Sequence, residues 1–295
     1  MRQGENHMTD FTDYSRHYIA LSALFTLGGI GLGMPSQNCG GFTFFGFTAA
    51  AACAAVICAA SAFAMHLFRG KKINPWLLKA LLAVFSLAAF YEGTETLIDF
   101  LNFAGKILLP ETHRFFIALP FIAAAVYLSS RGEGVMFKFS VICFVFTVIS
   151  VAIFFALSAK DFNTDLLKAD GMPGKPELIA ETKPWFFRLA LPAALIPLIP
   201  SVFGVNARKR TAVYGSVLGL AAAALCLAEV LLLFGMGFAA RLDFPLCAAV
   251  STVTVGPLFT RMDGFVYCLY FAVSLIKTAV CAKLCFNAAK LQRKI

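Results

Sequence analysis

The chain has 295 residues, 60% of them hydrophobic and 14% charged, with a mean hydropathy of +0.80 and a net charge of +9. That balance excludes a soluble domain, because apolar runs about twenty residues long recur along the chain. The positive charge falls in short loops, where it sets membrane orientation, and does not imply a nucleic-acid partner. The nine Cys include no CxxC pair and lie mostly in apolar segments. Inert buried thiols are therefore expected, with neither a metal site nor a disulfide framework.

In chain order, residues 1–17 are polar and mixed in charge, which is not the pattern of a cleavable signal. They read as a cytoplasmic segment ahead of a membrane domain over 18–286. The first span is expected at about 18–34, the second at 42–68 and the third at 76–103. A short fourth follows at 115–128, then a fifth at 135–157. A charge-balanced outer loop covers about 159–184, before a sixth span at 185–204 and a seventh at 213–238. Residues 244–258 are only moderately apolar and read as a surface or re-entrant segment. The eighth span is expected at 264–286, and 287–295 form a cytoplasmic tail. Arg69, Lys71 and Lys72, Arg131 and Lys138, Arg208 to Arg210, and Lys290, Arg293 and Lys294 share one side. The positive-inside rule then puts both termini in the cytoplasm.

Two spans are interrupted. Within LGGIGLGMP, Gly28, Gly29, Gly31 and Gly33 weaken the first helix and Pro35 ends it. In the sixth span, Pro192, Pro197 and Pro200 each remove a backbone donor. Broken helices opening two consecutive groups of spans are the pattern of an inverted-repeat transporter, whose site lies between the breaks. Gly28, Gly29, Gly31, Gly33, Pro192 and Pro197 are thus the candidate ligand-binding residues. Gly29 and Gly33 also form a small-xxx-small pair that would serve helix packing instead.

Charged residues inside spans are the other signal. Glu92, Glu95 and Asp99 share one face of the third helix, at the spacing i, i+3, i+7. With that helix ending near Phe103, they are expected in its final turns, in reach of water. Glu229 and Lys277 lie deeper, and pairing with each other is one way to neutralise both. No Walker loop, zinc-ligand spacing or nucleophile–base constellation occurs, so neither an enzyme nor a cofactor is implied.

Three stretches resemble the spore-germination permease family, the membrane-embedded B subunit of nutrient germinant receptors within the amino acid/polyamine/organocation transporter superfamily. The first is LLPET, containing Pro110, Glu111 and Thr112. The second is Tyr127 with Arg131–Gly132, followed by Lys138 where the family usually has Arg. The third is RLDFP at 241–245 and then FTRMDGFVYCLYFAVSLIK, where Arg261, Asp263 and Lys277 keep the family pattern. Thr260 replaces its Glu and Tyr270 its Trp. The resemblance implies a LeuT-like, inverted-repeat helical bundle and a role in sensing a small nutrient, an amino acid, with other receptor subunits in the spore inner membrane. The family usually has about ten spans against about eight here, so a shortened member is expected. An active amino-acid permease and a structural subunit without ligand are the alternative readings.

Overall fold

The computed structural model describes residues 5–28, 44–68, 75–168, 175–203, 209–239, 241–252 and 263–294. Helix α1 covers Glu5–Leu27, so helix begins within the polar N-terminal segment. Helix α2 covers Phe44–Phe68 and α3 Pro75–Phe103. A π-helical turn, Ala104–Leu108, prolongs α3 and is closed by Leu109 N–H on the Ala104 carbonyl at 2.8 Å. Helix α4 is Arg114–Ser130, and α5 is Glu133–Ser158 with a 3-10 turn behind it. The expected outer loop contains the short helix α6, Asp165–Lys168, and the start of α7, Lys175–Leu195. A 3-10 turn at Ile196–Leu198 joins α7 to α8, Ile199–Val202. Helix α9 is Lys209–Ala239, α10 Pro245–Thr252 and α11 Asp263–Lys294. There is no strand among the described residues.

Eight of these helices have 17 residues or more and follow the expected order of spans. Six of the eight are long and apolar enough to cross a membrane. Helix α4, at 17 residues, is apolar but shorter. The expected first span is helical only to Leu27, and its second half lies outside the described residues. Helix α10 is neither a span nor a surface segment: Leu246, Cys247, Ala249 and Val250 are buried on it.

The exterior differs from that of a soluble protein. Trp76, Val84, Leu87 and Phe90 on α3 are exposed, as are Phe115, Phe116 and Leu119 on α4. Glu92, Glu229 and Lys277 are at most 3% exposed. An exterior this apolar, with charges held inside the core, is stable only where hydrocarbon replaces water. The chain is an all-α, multi-pass membrane protein.

Small residues bring α1 and α9 together. A Cβ on Gly219 would meet the Ala23 carbonyl at 2.5 Å, and one on Gly215 would meet the Ile19 carbonyl at 2.7 Å. The facing residues Ser22 and Thr26 donate to their own helix, at the carbonyls of Tyr18 and Ser22 (2.7 and 2.9 Å). Close backbone approach of this kind is how membrane helices pack when apolar burial gives no net gain.

Helix α9 is itself broken at Gly235, whose φ of 70° and ψ of 167° interrupt the helical ladder. The Asn163 N–H takes the Leu232 carbonyl at 3.0 Å. Leu166 packs where a Cβ of Gly235 would lie, at 3.4 Å.

Candidate functional site

A cavity of about 50 Å³ opens at the end of α1. Gly28 bounds it on α1, Thr147 and Ser150 on α5, Glu229 on α9, Val250 on α10 and Tyr270 on α11. Gly28 follows the last helical residue, and its N–H takes the Leu24 carbonyl at 2.8 Å. Space around it is tight, since a Cβ would lie 3.1 Å from Val273 Cγ1 and 3.3 Å from Lys277 Cδ. One water needs roughly 10–15 Å³ of such volume, so the cavity has room for a very small group, and its walls are almost wholly apolar.

The prolines of the sixth span do not line this cavity. Pro192 is tolerated inside α7, and Pro197 is the second residue of the 3-10 turn, so the described helix is distorted there rather than unwound. A tighter turn re-satisfies the groups that a proline frees. Gly29, Gly31 and Gly33 lie outside the described residues.

The deep charges pair differently from the expectation. Lys277 forms its ion pair with Glu92, not with Glu229. Glu92 is 3% exposed and is not in the final turns of its helix. Phe103, where α3 ends, lies eleven residues beyond Glu92, and the π-turn extends the span to 34 residues, Pro75–Leu108. Glu92 then falls at its middle, just as Lys277 does in the 30-residue span Asp263–Gln292. Glu229 instead accepts a hydrogen bond from the Ser158 hydroxyl at 2.8 Å. The Lys277 ammonium also sits 5.6 Å from the Phe25 ring centroid on α1, a cation–π contact.

Further out along α3, Arg188 of α7 joins the same face. Its Nη1 is 3.5 Å from Asp99 Oδ2 and its Nε 3.9 Å from Glu95 Oε1. Asp99 lies seven residues beyond Glu92, roughly 10 Å along the axis. Three carboxylates therefore face two cations across α3, α7 and α11. A charge at bilayer depth is costly alone, which accounts for the pairing. Arg188 was not weighed from the sequence, although a lone Arg in the apolar run WFFRLALP is a visible signal. The Gly215-x-x-x-Gly219 pair was equally readable as a helix-packing motif.

The family-motif residues lie elsewhere. Pro110 and Glu111 are exposed in the turn between α3 and α4, where Thr112 N–H takes the Leu109 carbonyl at 3.1 Å. Asp263 is the first residue of α11; its Oδ1 accepts from Gly264 N–H at 3.0 Å and its Oδ2 from Tyr267 at 3.3 Å. A carboxylate there is favoured by the helix dipole. Arg261 lies outside the described residues. No cluster of metal-ligating side chains occurs among the described residues.

The fold is an all-α membrane bundle with a small interior cavity and buried ion pairs. The spore germination protein family matches residues 59–290, most of the chain, and the chain belongs to that family. No curated protein and no solved structure matches it.

Proposed function

We propose that this chain is a B-type subunit of a nutrient germinant receptor. In this reading it binds a small nutrient, an amino acid, at the broken end of α1 and passes the event to other receptor subunits in the spore inner membrane. The membrane domain is 18–286, and both termini are cytoplasmic. Family membership supports the germination role and the permease-type architecture. The observation that carries the binding role is the interior cavity at Gly28, bounded by a buried carboxylate, Glu229.

Occupancy has a direct route to the rest of the bundle. Gly28 sits against Val273 and Lys277, and Lys277 holds Glu92. A ligand that displaces Gly28 therefore presses on the side chain that ties α11 to α3. At about 50 Å³ the cavity takes only the smallest nutrients without moving side chains.

The test is thermal denaturation of the purified full-length protein across a panel of amino acids, with flux assayed in proteoliposomes. A saturable stabilisation by a small amino acid, lost in Gly28→Leu and Gly31→Val, supports the reading. Absence of any stabilisation defeats it. Sustained accumulation of labelled solute makes the protein a permease rather than a receptor.

A further inference from the structure

We infer that the segment after α5, residues 159–168, is a strap that holds α9 in a kinked form, with Leu166 against Gly235 as its catch, and that release of the strap opens the cavity. The inference concerns access to the cavity and stands whatever occupies it.

Three contacts fasten the strap to α9. The Ser158 hydroxyl, at its root, donates to Glu229 at 2.8 Å. The Asn163 N–H donates to the Leu232 carbonyl at 3.0 Å, and Leu166 packs at Gly235. The positions on α9 are three residues apart, so the strap climbs the helix by nearly a turn at each contact. The middle contact stands in for a helical one. In an unbroken helix the Leu232 carbonyl accepts from Met236, the residue just past the break. Gly235 holds a conformation essentially confined to glycine, and it is the one residue of positive φ among those described. Glycine adopts helical values as readily. Helix α9 therefore has two forms, kinked with the strap in place and continuous with Met236 returned to Leu232. The catch fits the first: Leu166 Cβ lies 3.4 Å from where a Gly235 Cβ would be, a contact that a turned Gly235 loses.

The far end of α9 bears on the cavity because α10 is tied to it. The Arg241 and Leu242 N–H groups take the carbonyls of Phe238 and Ala239 at 3.0 and 3.2 Å, and α10 packs back on α9. On α10, Val250 meets Phe154 of α5 and Val266 of α11 in a small apolar cluster apart from the two larger cores. All three side chains line the cavity. A cluster this small is among the easiest parts of a bundle to separate. Straightening α9 at Gly235 carries α10 and Val250 away from it. Cys226 and Glu229, which line the cavity on the other side of the break, keep their places.

The experiment reads the native thiol of Cys226, which lines the cavity and is 4% exposed. The full-length protein in lipid nanodiscs is treated with N-methylmaleimide, and modification of Cys226 and Cys281 is followed by peptide mass spectrometry. Cys281 is buried where α11 meets Gly93 of α3, so it reports general loosening. Gly235→Ala and Leu166→Ala should each speed modification of Cys226 at least roughly fivefold, the lower end of what a side chain in a left-handed conformation costs. Cys281 should be unaffected. Leu166→Cys with Gly235→Cys should form a disulfide, because their Cβ positions lie 3.4 Å apart. That disulfide should slow Cys226 below the wild-type rate until it is reduced. Should the double variant not fold, the two alanine variants decide alone. An unchanged Cys226 rate in either of them, a parallel rise at Cys281, or a disulfide that leaves the Cys226 rate as it was overturns the inference.

Discussion

The Tyr18 hydroxyl donates to the carbonyl of Ile196, tying α1 to the 3-10 turn of the sixth span. In an uninterrupted helix that carbonyl would accept from the residue four further on, which is Pro200 and has no N–H. The Ile199 N–H moves onto it instead, and Tyr18 supplies a second donor from another helix. Helix α1 and the sixth span are thus joined by the group that Pro200 sets free. Tyr18→Phe should lower stability by about 1 kcal/mol, since the carbonyl keeps one partner. Chemical denaturation of both forms checks this; an unchanged midpoint would mean that Ile199 alone suffices.

The Glu92–Lys277 pair makes a sharper forecast. Lys277→Met strands a carboxylate at mid-membrane and should cost roughly 3–5 kcal/mol. Adding Glu92→Gln should recover most of that loss, whereas adding Glu229→Gln should recover none. The double-mutant cycle reads this directly, because the coupling appears as non-additivity. Rescue by the Glu229 substitution would restore the pairing that sequence reading had suggested.

That misreading has a physical origin. The order of the long helices and the charged positions were legible, because hydropathy and the cost of intramembrane charge are properties of residues in sequence. Which charge meets which depends on how far each helix extends. Glu92 lies three turns inside the end of α3, and its burial comes from the packing of α3 against α11, which composition along one helix does not show. That α1 ends at Leu27 agrees with the weak helix propensity of the glycines that follow. The absence of Pro192 and Pro197 from the cavity was not, because a proline in a helix leaves open whether the chain unwinds or tightens there.

The α1–α9 contact should be intolerant of side-chain volume. Gly219→Leu would force the helices apart and should cost at least about 1–3 kcal/mol, the usual penalty of overpacking. Gly237, on the same helix, has open space where its Cβ would lie. Gly237→Ala should therefore be neutral or slightly stabilising through helix propensity. Thermal unfolding of the two variants side by side separates a packing role from a generic glycine effect. Equal stability would remove the case for close approach.

Orientation is open to labelling in a background without native cysteines. Cys placed at Glu111, in the exposed turn after α3, should react with an impermeant reagent from outside. Cys placed at Lys290 should react only after permeabilisation. The opposite result would invert the loop-charge assignment and put both termini outside.

The partners of the deepest ion pair are made at very different times. Helix α3 leaves the ribosome with Glu92, Glu95 and Asp99 long before Arg188 is synthesised, and α11 with Lys277 comes last. Domains assemble as the chain emerges, and each charge placed at the centre of a lone membrane helix costs roughly 2.5–3.5 kcal/mol. Through most of its own synthesis, then, α3 is a poor membrane helix waiting for its counterions. A chain stopped before Asp263 should hold α3 insecurely in the bilayer and be cleared by quality control, even though every residue of α3 is intact.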